Sequence, residues 1–268
     1  MKRKAIFVAM LACSMMLNAQ TKEPAVVFHQ IGDQLDESYL ISETVTVSFH
    51  SDGLVHLSVD GEDKCEYIIS KENPLIADFR DAFKITANED PNKPGDYYST
   101  FYSEKSAYKV PVSDVTAYAG EVDGSKLKLT SVGSFIHKGE PVLLKGAASQ
   151  YTLMPMANGD EATETNHLTG TEEGKTNCES DVYALSYGQN GVGFYKWAGK
   201  DIAANKAYLV YSASAKALSF EFNGEPSGIE SISDNANINA SMYNLKGMKV
   251  DKNYKGIVVN KGKKYIVK

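Results

Sequence analysis

Short runs of alternating apolar and polar residues, separated by turn signals, are the feature that most constrains the fold of this chain. Residues 44–49 alternate between polar and apolar side chains, and residues 54–59 do so again after a turn. A period of two is typical of strands that bury one face. The dipeptide Asp60-Gly61 is a strong signal for a tight hairpin. Residues 43–70 are therefore predicted to form a three-stranded antiparallel meander.

The same pattern continues from residue 97 to residue 223, where strand-like segments follow one another at the short spacing of a sandwich or barrel. One hairpin is especially clear: Asp123-Gly124 is the turn, Leu127 and Leu129 are predicted to face inward, and the intervening lysines face outward. The predicted fold class is all-β, with an antiparallel β-sandwich-like domain preceded by the small meander.

Two segments between these regions have a different pattern. Asn73-Pro74 resembles a helix start, and Leu75, Ile76, Phe79 and Phe83 fall on one helical face, so a short helix is predicted at 74–83. Residues 87–96 are polar and contain Pro and Gly, which predicts a linker.

The first 19 residues have the organisation of a secretory signal peptide. Lys2, Arg3 and Lys4 precede an apolar run that is too short to span a membrane, and small residues lie near its end. Cleavage after Ala19 is predicted. The alternative is lipoprotein processing at Cys13.

The last 28 residues differ from the rest of the chain in charge. Residues 241–268 contain eight lysines and one aspartate, a net charge of +7. Residues 1–20 carry +3 and the whole chain carries −6, so residues 21–240 carry −16. Such an asymmetry suggests that the tail has its own partner. An acidic body makes nucleic acid an unsuitable partner, because phosphate binding needs clustered positive charge.

The tail also contains three β-prone runs, at 241–245, 256–260 and 265–268, with turn signals between them. Its pattern resembles the C-terminal sorting domain of type IX secretion cargo. The residues that carry the resemblance as a sorting signal are Tyr243, Leu245, Gly247, Val250, Gly256, Ile257, Gly262, Lys263, Lys264 and Lys268. Lys261 departs from the pattern, since it separates Asn260 from Gly262. The resemblance implies export through the type IX machinery of the outer membrane. The alternative is a basic β-subdomain that closes the fold.

Residues 98–222 resemble an uncharacterised β domain that recurs before sorting tails in such cargo. The segments that carry this likeness include Tyr98-Ser99-Thr100-Phe101-Tyr102, Pro141-Val142-Leu143-Leu144, Leu168-Thr169-Gly170-Thr171 and Gly193-Phe194-Tyr195-Lys196-Trp197. It implies an all-β accessory module without a known activity.

These patterns predict five segments. They are a signal peptide at 1–19, an N-terminal β region with its linker at 20–96, the β-sandwich-like domain at 97–223, a linker at 224–240, and the sorting domain at 241–268.

Motifs for catalysis and for cofactors are missing from the sequence. It has no phosphate-binding GxxxxGK[ST], no HExxH and no GxSxG, and Lys196 stands where a dinucleotide-binding GxGxxG needs its last glycine. His50 and His56 lie on neighbouring predicted strands without an identifiable third ligand. No metal, no cofactor and no enzymatic activity is therefore predicted.

Two pairs of residues are candidates for special roles. Cys65 and Cys178 form a disulfide if their backbones approach, and the alternative is two separate buried thiols. Tyr195 and Trp197, two apart on one strand, form a glycan-stacking platform if they are exposed, and core packing is the alternative.

The sequence favours an exported structural or adhesive protein, secreted or at the cell surface on the outer membrane, which it reaches through the periplasm. A carbohydrate-binding surface protein with polysaccharide as its partner is the second hypothesis, and a hydrolase is the third.

Overall fold

The computed structural model describes residues 20–30, 36–51, 53–111, 113–157, 159, 165–188, 191–212 and 216–222, and the backbone of five short strands between 230 and 267. The elements among these residues are β-strands, which confirms the all-β prediction. No helix among them has the length and apolar character needed to cross a membrane. The predicted signal peptide at 1–19 lies outside the described residues.

The chain divides into two compact units, Met1–Asn223 and Gly224–Lys268. In chain order the strands of the first unit are β1 (Thr21–Gln30), β2 (Glu37–Leu40), β3 (Val45–Phe49), β4 (Leu54–Val59), β5 (Glu62–Ile68), β6 (Leu75–Thr86), β7 (Asn88–Asp90), β8 (Lys93–Phe101), β9 (Ala107–Lys109), β10 (Val115–Asp123), β11 (Lys126–Gly133), β12 (Phe135–Ile136), β13 (Val142–Gly146), β14 (Gln150–Met156), β15 (Leu168–Thr171), β16 (Val182–Gly188), β17 (Gly191–Lys196), β18 (Lys206–Val210) and β19 (Ala217–Phe222).

The predicted meander is confirmed as the three-stranded antiparallel sheet β3-β4-β5. Its second hairpin turns at Asp60 and Gly61, whose φ angles are 51° and 84°. Two successive positive φ angles are what a type I′ turn requires, and this explains why Asp-Gly stands there. Val55, Leu57 and Val59 are buried in a core that also contains Val26 and Phe28 of β1.

A six-stranded antiparallel sheet with the order β12-β9-β14-β6-β1-β2 forms the next layer. The predicted helix at 74–83 is wrong, because this segment belongs to β6, which pairs with β1 from Leu75 to Lys84 and with β14 from Phe83 to Thr86. Residues i and i+4 share a face in a strand as well as in a helix, so the spacing of Phe79 and Phe83 fits both structures.

The remaining strands of this unit form a curled ten-stranded sheet with the order β15-β18-β16-β17-β19-β11-β10-β13-β8-β7. Neighbours are antiparallel except β11 and β19, which are parallel. Leu127 and Leu129 are fully buried, as predicted, and share a core with Leu185, Phe194 and Trp197.

Residues 87–96 are not the predicted linker. Most of them form the hairpin of β7 and the start of β8, in which Asp90 pairs with Lys93 across a two-residue turn. The Asp90 side chain is buried, and its Oδ1 accepts a hydrogen bond from the Asn92 N–H at 2.9 Å. This local bond closes the turn.

The predicted boundary at 96/97 does not separate two folding units either. Phe83 and Ile85 of β6 share a buried cluster with Phe101, Tyr108 and Leu153. Strand β6 is also hydrogen-bonded to β14, which lies beyond the predicted boundary. Both sides of residue 96 therefore contribute to one core.

The second unit contains β20 (Glu230–Ser231), β21 (Met242–Asn244), β22 (Lys249–Val250), β23 (Gly256–Asn260) and β24 (Lys263–Val267). They form a separate sheet with the order β20-β24-β23-β21-β22. The pairs are antiparallel except β20 with β24. Strand β20 falls within the predicted linker at 224–240, and the other residues of that linker lie outside the described residues.

Candidate functional site

Trp197 is a core residue, so the hypothesis of a Tyr195/Trp197 glycan platform is wrong. Only 1% of Trp197 is exposed. Its indole N–H donates to the carbonyl oxygen of Asp201 at 2.8 Å, and the Lys200 ammonium lies 4.3 Å from the ring centroid. An enclosed indole with a satisfied N–H is a typical packing element and has no face left for a sugar.

Tyr195 is half-buried on β17, and its hydroxyl donates to the carbonyl oxygen of Gly191 at 2.7 Å. It lines a small cleft of about 170 Å³ together with Gly193 and Leu218. That volume is below the roughly 300 Å³ at which ligand pockets usually begin. The structure therefore does not join Tyr195 and Trp197 into one binding surface.

Cys65 and Cys178 are both free thiols, so the possible disulfide between them is wrong. Cys178 is buried in the core of the ten-stranded sheet, whereas Cys65 packs against the core of the three-stranded sheet. Burial is the first cause that raises the pKa of each thiol. Thiols of raised pKa, here one half-buried and one buried, are poor nucleophiles and serve as small packing groups.

Thiol titration of the denatured full chain without reductant tests this arrangement. The chain contains three cysteines, so the Cys178→Ser variant is expected to titrate one thiol fewer than the parent chain. If Cys65 and Cys178 were bridged, removing Cys178 would release Cys65, and the variant would titrate one thiol more. The direction of the change separates the two cases.

His50 and His56 do approach each other on the three-stranded sheet. Their ring centroids are 4.1 Å apart, and His56 Nδ1 lies 3.3 Å from Glu66 Oε1. In the part of the chain that the structure describes, no group of three or more His, Cys, Asp or Glu residues is placed to hold a metal ion.

A more open cleft of about 340 Å³ lies between β6 and the loop that joins β8 to β9. We call it the β6 cleft. Strand β6 contributes Phe79, Arg80 and Asp81 to its walls, and the loop contributes Ser103, Lys105 and Ser106. Its volume falls within the roughly 300–1,000 Å³ range of small-molecule sites.

The floor of the β6 cleft consists of closely packed aromatic rings. Phe83 and Tyr108 are each 1% exposed, and their rings meet edge to face at 5.5 Å between centroids. The Tyr108 hydroxyl donates to the carbonyl oxygen of Asp81 at 3.1 Å, and burial raises the pKa of Tyr108 to about 12. This phenol therefore stays neutral at physiological pH and fixes the backbone of β6 beneath the cleft.

Arg80 is the most firmly held cation of the β6 cleft. One guanidinium nitrogen donates to Met156 O at 2.7 Å and to Ser106 Oγ at 3.2 Å, and the other donates to Asp78 Oδ2 at 3.1 Å. The Arg80 hydrogen bond is the main cause that lowers the pKa of Asp78, followed by that of His29. Asp78 is therefore ionised at neutral pH and offsets the charge of Arg80 from outside the cleft lining.

The other two ionisable residues that line the cleft differ in their pairing. Asp81 forms an ion pair with Lys22 of β1 at 3.4 Å. The Lys105 side chain is 67% exposed, and its ammonium is 3.9 Å from Glu172 Oε1, which is longer than a hydrogen bond. Lys105 is thus the cation most available to a ligand.

Phe79 forms the outer wall of the β6 cleft and is 77% exposed. The sequence pattern places Phe79 on the apolar face of a predicted helix and gives no indication of a cleft. The signal that favours a strand was the alternation further along, where Phe83 and Ile85 are buried and Lys84 and Thr86 are exposed. The loop residues had no such signal, because Ser103, Lys105 and Ser106 follow Pro24 by 79 to 82 positions in the sequence. Only folding brings them to the same cleft.

In the second unit, six predicted sorting-signal residues lie on strands. They are Tyr243, Val250, Gly256, Ile257, Lys263 and Lys264. Leu245, Gly247, Gly262 and Lys268 lie outside the described residues. In the β23–β24 hairpin Asn260 pairs with Lys263, so the two strands flank the predicted turn.

Comparisons of this chain with protein-family models, with curated proteins and with solved structures found no match.

Proposed function

We propose that this is an exported structural or adhesive protein of the cell surface or the secreted fraction, delivered by a type IX sorting domain at its C-terminus. The observation that carries the proposal is that Gly224–Lys268 forms a compact unit with a sheet of its own. A sorting signal has to be read independently of its cargo. A subdomain that closed the larger fold would instead be expected to pair with strands of that fold.

The net charges of the tail and of the preceding residues support separate roles for the two segments. The tail carries +7, whereas residues 21–240 carry −16. Opposite net charges on two segments of one chain suit two different partners. The tail is proposed to engage the outer-membrane machinery after the signal peptide has brought the chain to the periplasm.

The β6 cleft supports a binding role over an enzymatic one. A hydroxyl nucleophile needs a base within hydrogen-bond reach. Ser106 Oγ accepts from the Arg80 guanidinium, which cannot act as a base, and Ser103 Oγ accepts from the Lys105 backbone N–H at 3.2 Å. These contacts orient the two hydroxyls without activating them, so the cleft fits binding better than attack by a serine nucleophile.

Deletion of residues 241–268 tests the delivery proposal in a bacterium that has type IX machinery. We expect the truncated protein to remain in the periplasm, because the cargo unit lacks the signal that is read at the outer membrane. Cell fractionation and surface proteolysis would measure this, with the full chain as the control. Protease resistance of the retained protein would show that the first unit is still folded. Surface delivery of the truncated protein at the level of the full chain would contradict the proposal.

A further inference from the structure

We infer that the β6 cleft binds an acidic saccharide, a sugar ring that bears a carboxylate, with the ring against Phe79 and the carboxylate toward Arg80 and Lys105. This inference names the ligand class for the proposed adhesive function and rests on it. Its test uses purified protein, so it succeeds or fails separately from the test of export.

Hydrogen-bond capacity indicates what the ligand must offer. Arg80 has five N–H groups, and three of them donate to groups in the described part of the chain. The other two have no hydrogen-bond acceptor among the described residues. The Lys105 ammonium adds three donors and has its closest carboxylate oxygen beyond hydrogen-bond distance. A donor-rich wall fits a ligand group that only accepts, as a carboxylate does.

Charge around the cleft is compatible with this class. The lining contains two cations, Arg80 and Lys105, and one carboxylate, Asp81. Asp78 offsets Arg80, Lys22 pairs with Asp81, and Glu172 lies 3.9 Å from Lys105, so these charges balance. Residues 21–240 carry −16 as a whole, so a locally balanced position repels an anion less than the average surface of this acidic body does.

The shape of the cleft selects a ring. Phe79 exposes 77% of its surface beside the polar groups, and the buried rings of Phe83 and Tyr108, packed edge to face, lie beneath it. An aromatic face next to converging polar groups is the usual composition of a small-molecule site. Ser103 and Ser106 also line the cleft, and serine hydroxyls are groups that can pair with sugar hydroxyls.

The volume limits the ligand to about one ring. A cleft of about 340 Å³ lies near the lower end of the usual range for ligand sites. We therefore expect one uronate residue of a longer chain to occupy the cleft, with its neighbours outside it. Affinity for a short oligosaccharide would be modest, and many copies of the protein along a polysaccharide would strengthen attachment.

Isothermal titration calorimetry of the full chain with a galacturonic acid trisaccharide tests the inference. Binding is expected for the uronate trisaccharide and is expected to be at least about tenfold weaker for its fully methyl-esterified form, which lacks the charge. Acetate is the third probe and separates a site for any carboxylate from a site for a sugar acid. Equal binding of the ester, binding of acetate as tight as that of the trisaccharide, or no binding of the trisaccharide would each overturn the inference.

Surface variants locate the site without disturbing the core. Phe79→Ser is expected to weaken binding of the uronate trisaccharide at least about fivefold through loss of the aromatic wall. Lys105→Gln is expected to weaken it about threefold and to reduce its salt dependence. Phe49→Ser is the matched control, since Phe49 is 74% exposed on the three-stranded sheet, and Lys71→Gln is the exposed lysine control. Losses of the same size in the control variants would overturn the assignment of the site.

Discussion

Trp197→Ala is expected to lower the free energy of unfolding of the first unit by about 3–5 kcal/mol. The indole is 1% exposed and lies in the same core as Phe194 and Leu185, so its removal leaves a large cavity. The substitution also removes the donor to the carbonyl oxygen of Asp201. For a unit of about 200 residues, such a loss corresponds to a fall in Tm of roughly 10 °C. Calorimetry or circular dichroism measures the effect without depending on tryptophan fluorescence.

Two further variants separate packing from surface effects. Trp197→Phe keeps an aromatic ring but loses the N–H donor, and we expect an intermediate loss of about 1–3 kcal/mol. Phe49→Ala, at a side chain that is 74% exposed, is expected to change stability by less than about 0.5 kcal/mol. A loss below about 1 kcal/mol for Trp197→Ala would show that the indole is not part of the core.

Lys206→Met is expected to stabilise the protein at pH 7 by up to about 3 kcal/mol. Lys206 is 2% exposed, and among the described residues its ammonium makes one hydrogen bond, to Ser99 Oγ at 3.2 Å. Burial lowers the pKa of Lys206 from 10.5 to about 8, and a depression of this size corresponds to about 3 kcal/mol. Methionine keeps an unbranched apolar stem of similar length and removes the charge.

The gain from Lys206→Met should depend on pH. Below pH 8 the lysine is protonated in both the folded and the unfolded chain, so the folded state carries the full cost of the buried charge. Between pH 8 and pH 10.5 the folded state releases the proton while the unfolded state retains it, and the stability of the parent protein rises with pH. The advantage of the variant should therefore shrink across this window and be lost above it.

Denaturant unfolding of both proteins at pH 7 and at pH 10 measures this change. Lys84→Met, at an exposed lysine on β6, is the control and should show no comparable pH dependence. An advantage of Lys206→Met that stayed constant from pH 7 to pH 10 would contradict a buried, titrating amine.

The segment 75–86 shows where pattern analysis reaches its limit. Phe79 and Phe83 are four residues apart, a spacing compatible with a helix face and with a strand face. The choice depends on partners that are distant in sequence: β1 pairs with β6 along its length, and β14 pairs with its end. Long-range hydrogen bonds and the core around Phe83 override the local helix-start signal at Asn73-Pro74.

The candidate binding residues also show that local sequence does not determine which side chains are exposed together. Tyr195 and Trp197 are conspicuous in the sequence, but Trp197 fills the core and Tyr195 is half-buried. The residues of the β6 cleft come from β1, β6, β9 and the loop before β9, and nothing in their local sequence marks them as neighbours. Exposure of an aromatic side chain depends on how much of the surrounding surface other strands cover.

The sequence by itself determined the properties that depend on near neighbours and on charge. The alternation of apolar and polar residues determines which faces of β4 and β11 are buried. Asp60-Gly61 determines a hairpin whose turn needs two positive φ angles. The lysine-rich tail determines the charge asymmetry of the chain. Only the tertiary structure decided that 75–86 is a strand, that Trp197 is core, that the two thiols are apart, and that Phe79 and Lys105 share a cleft. The physical reason is that steric preference and charge act over a few residues, whereas burial and pairing are settled by strands that are far apart along the chain.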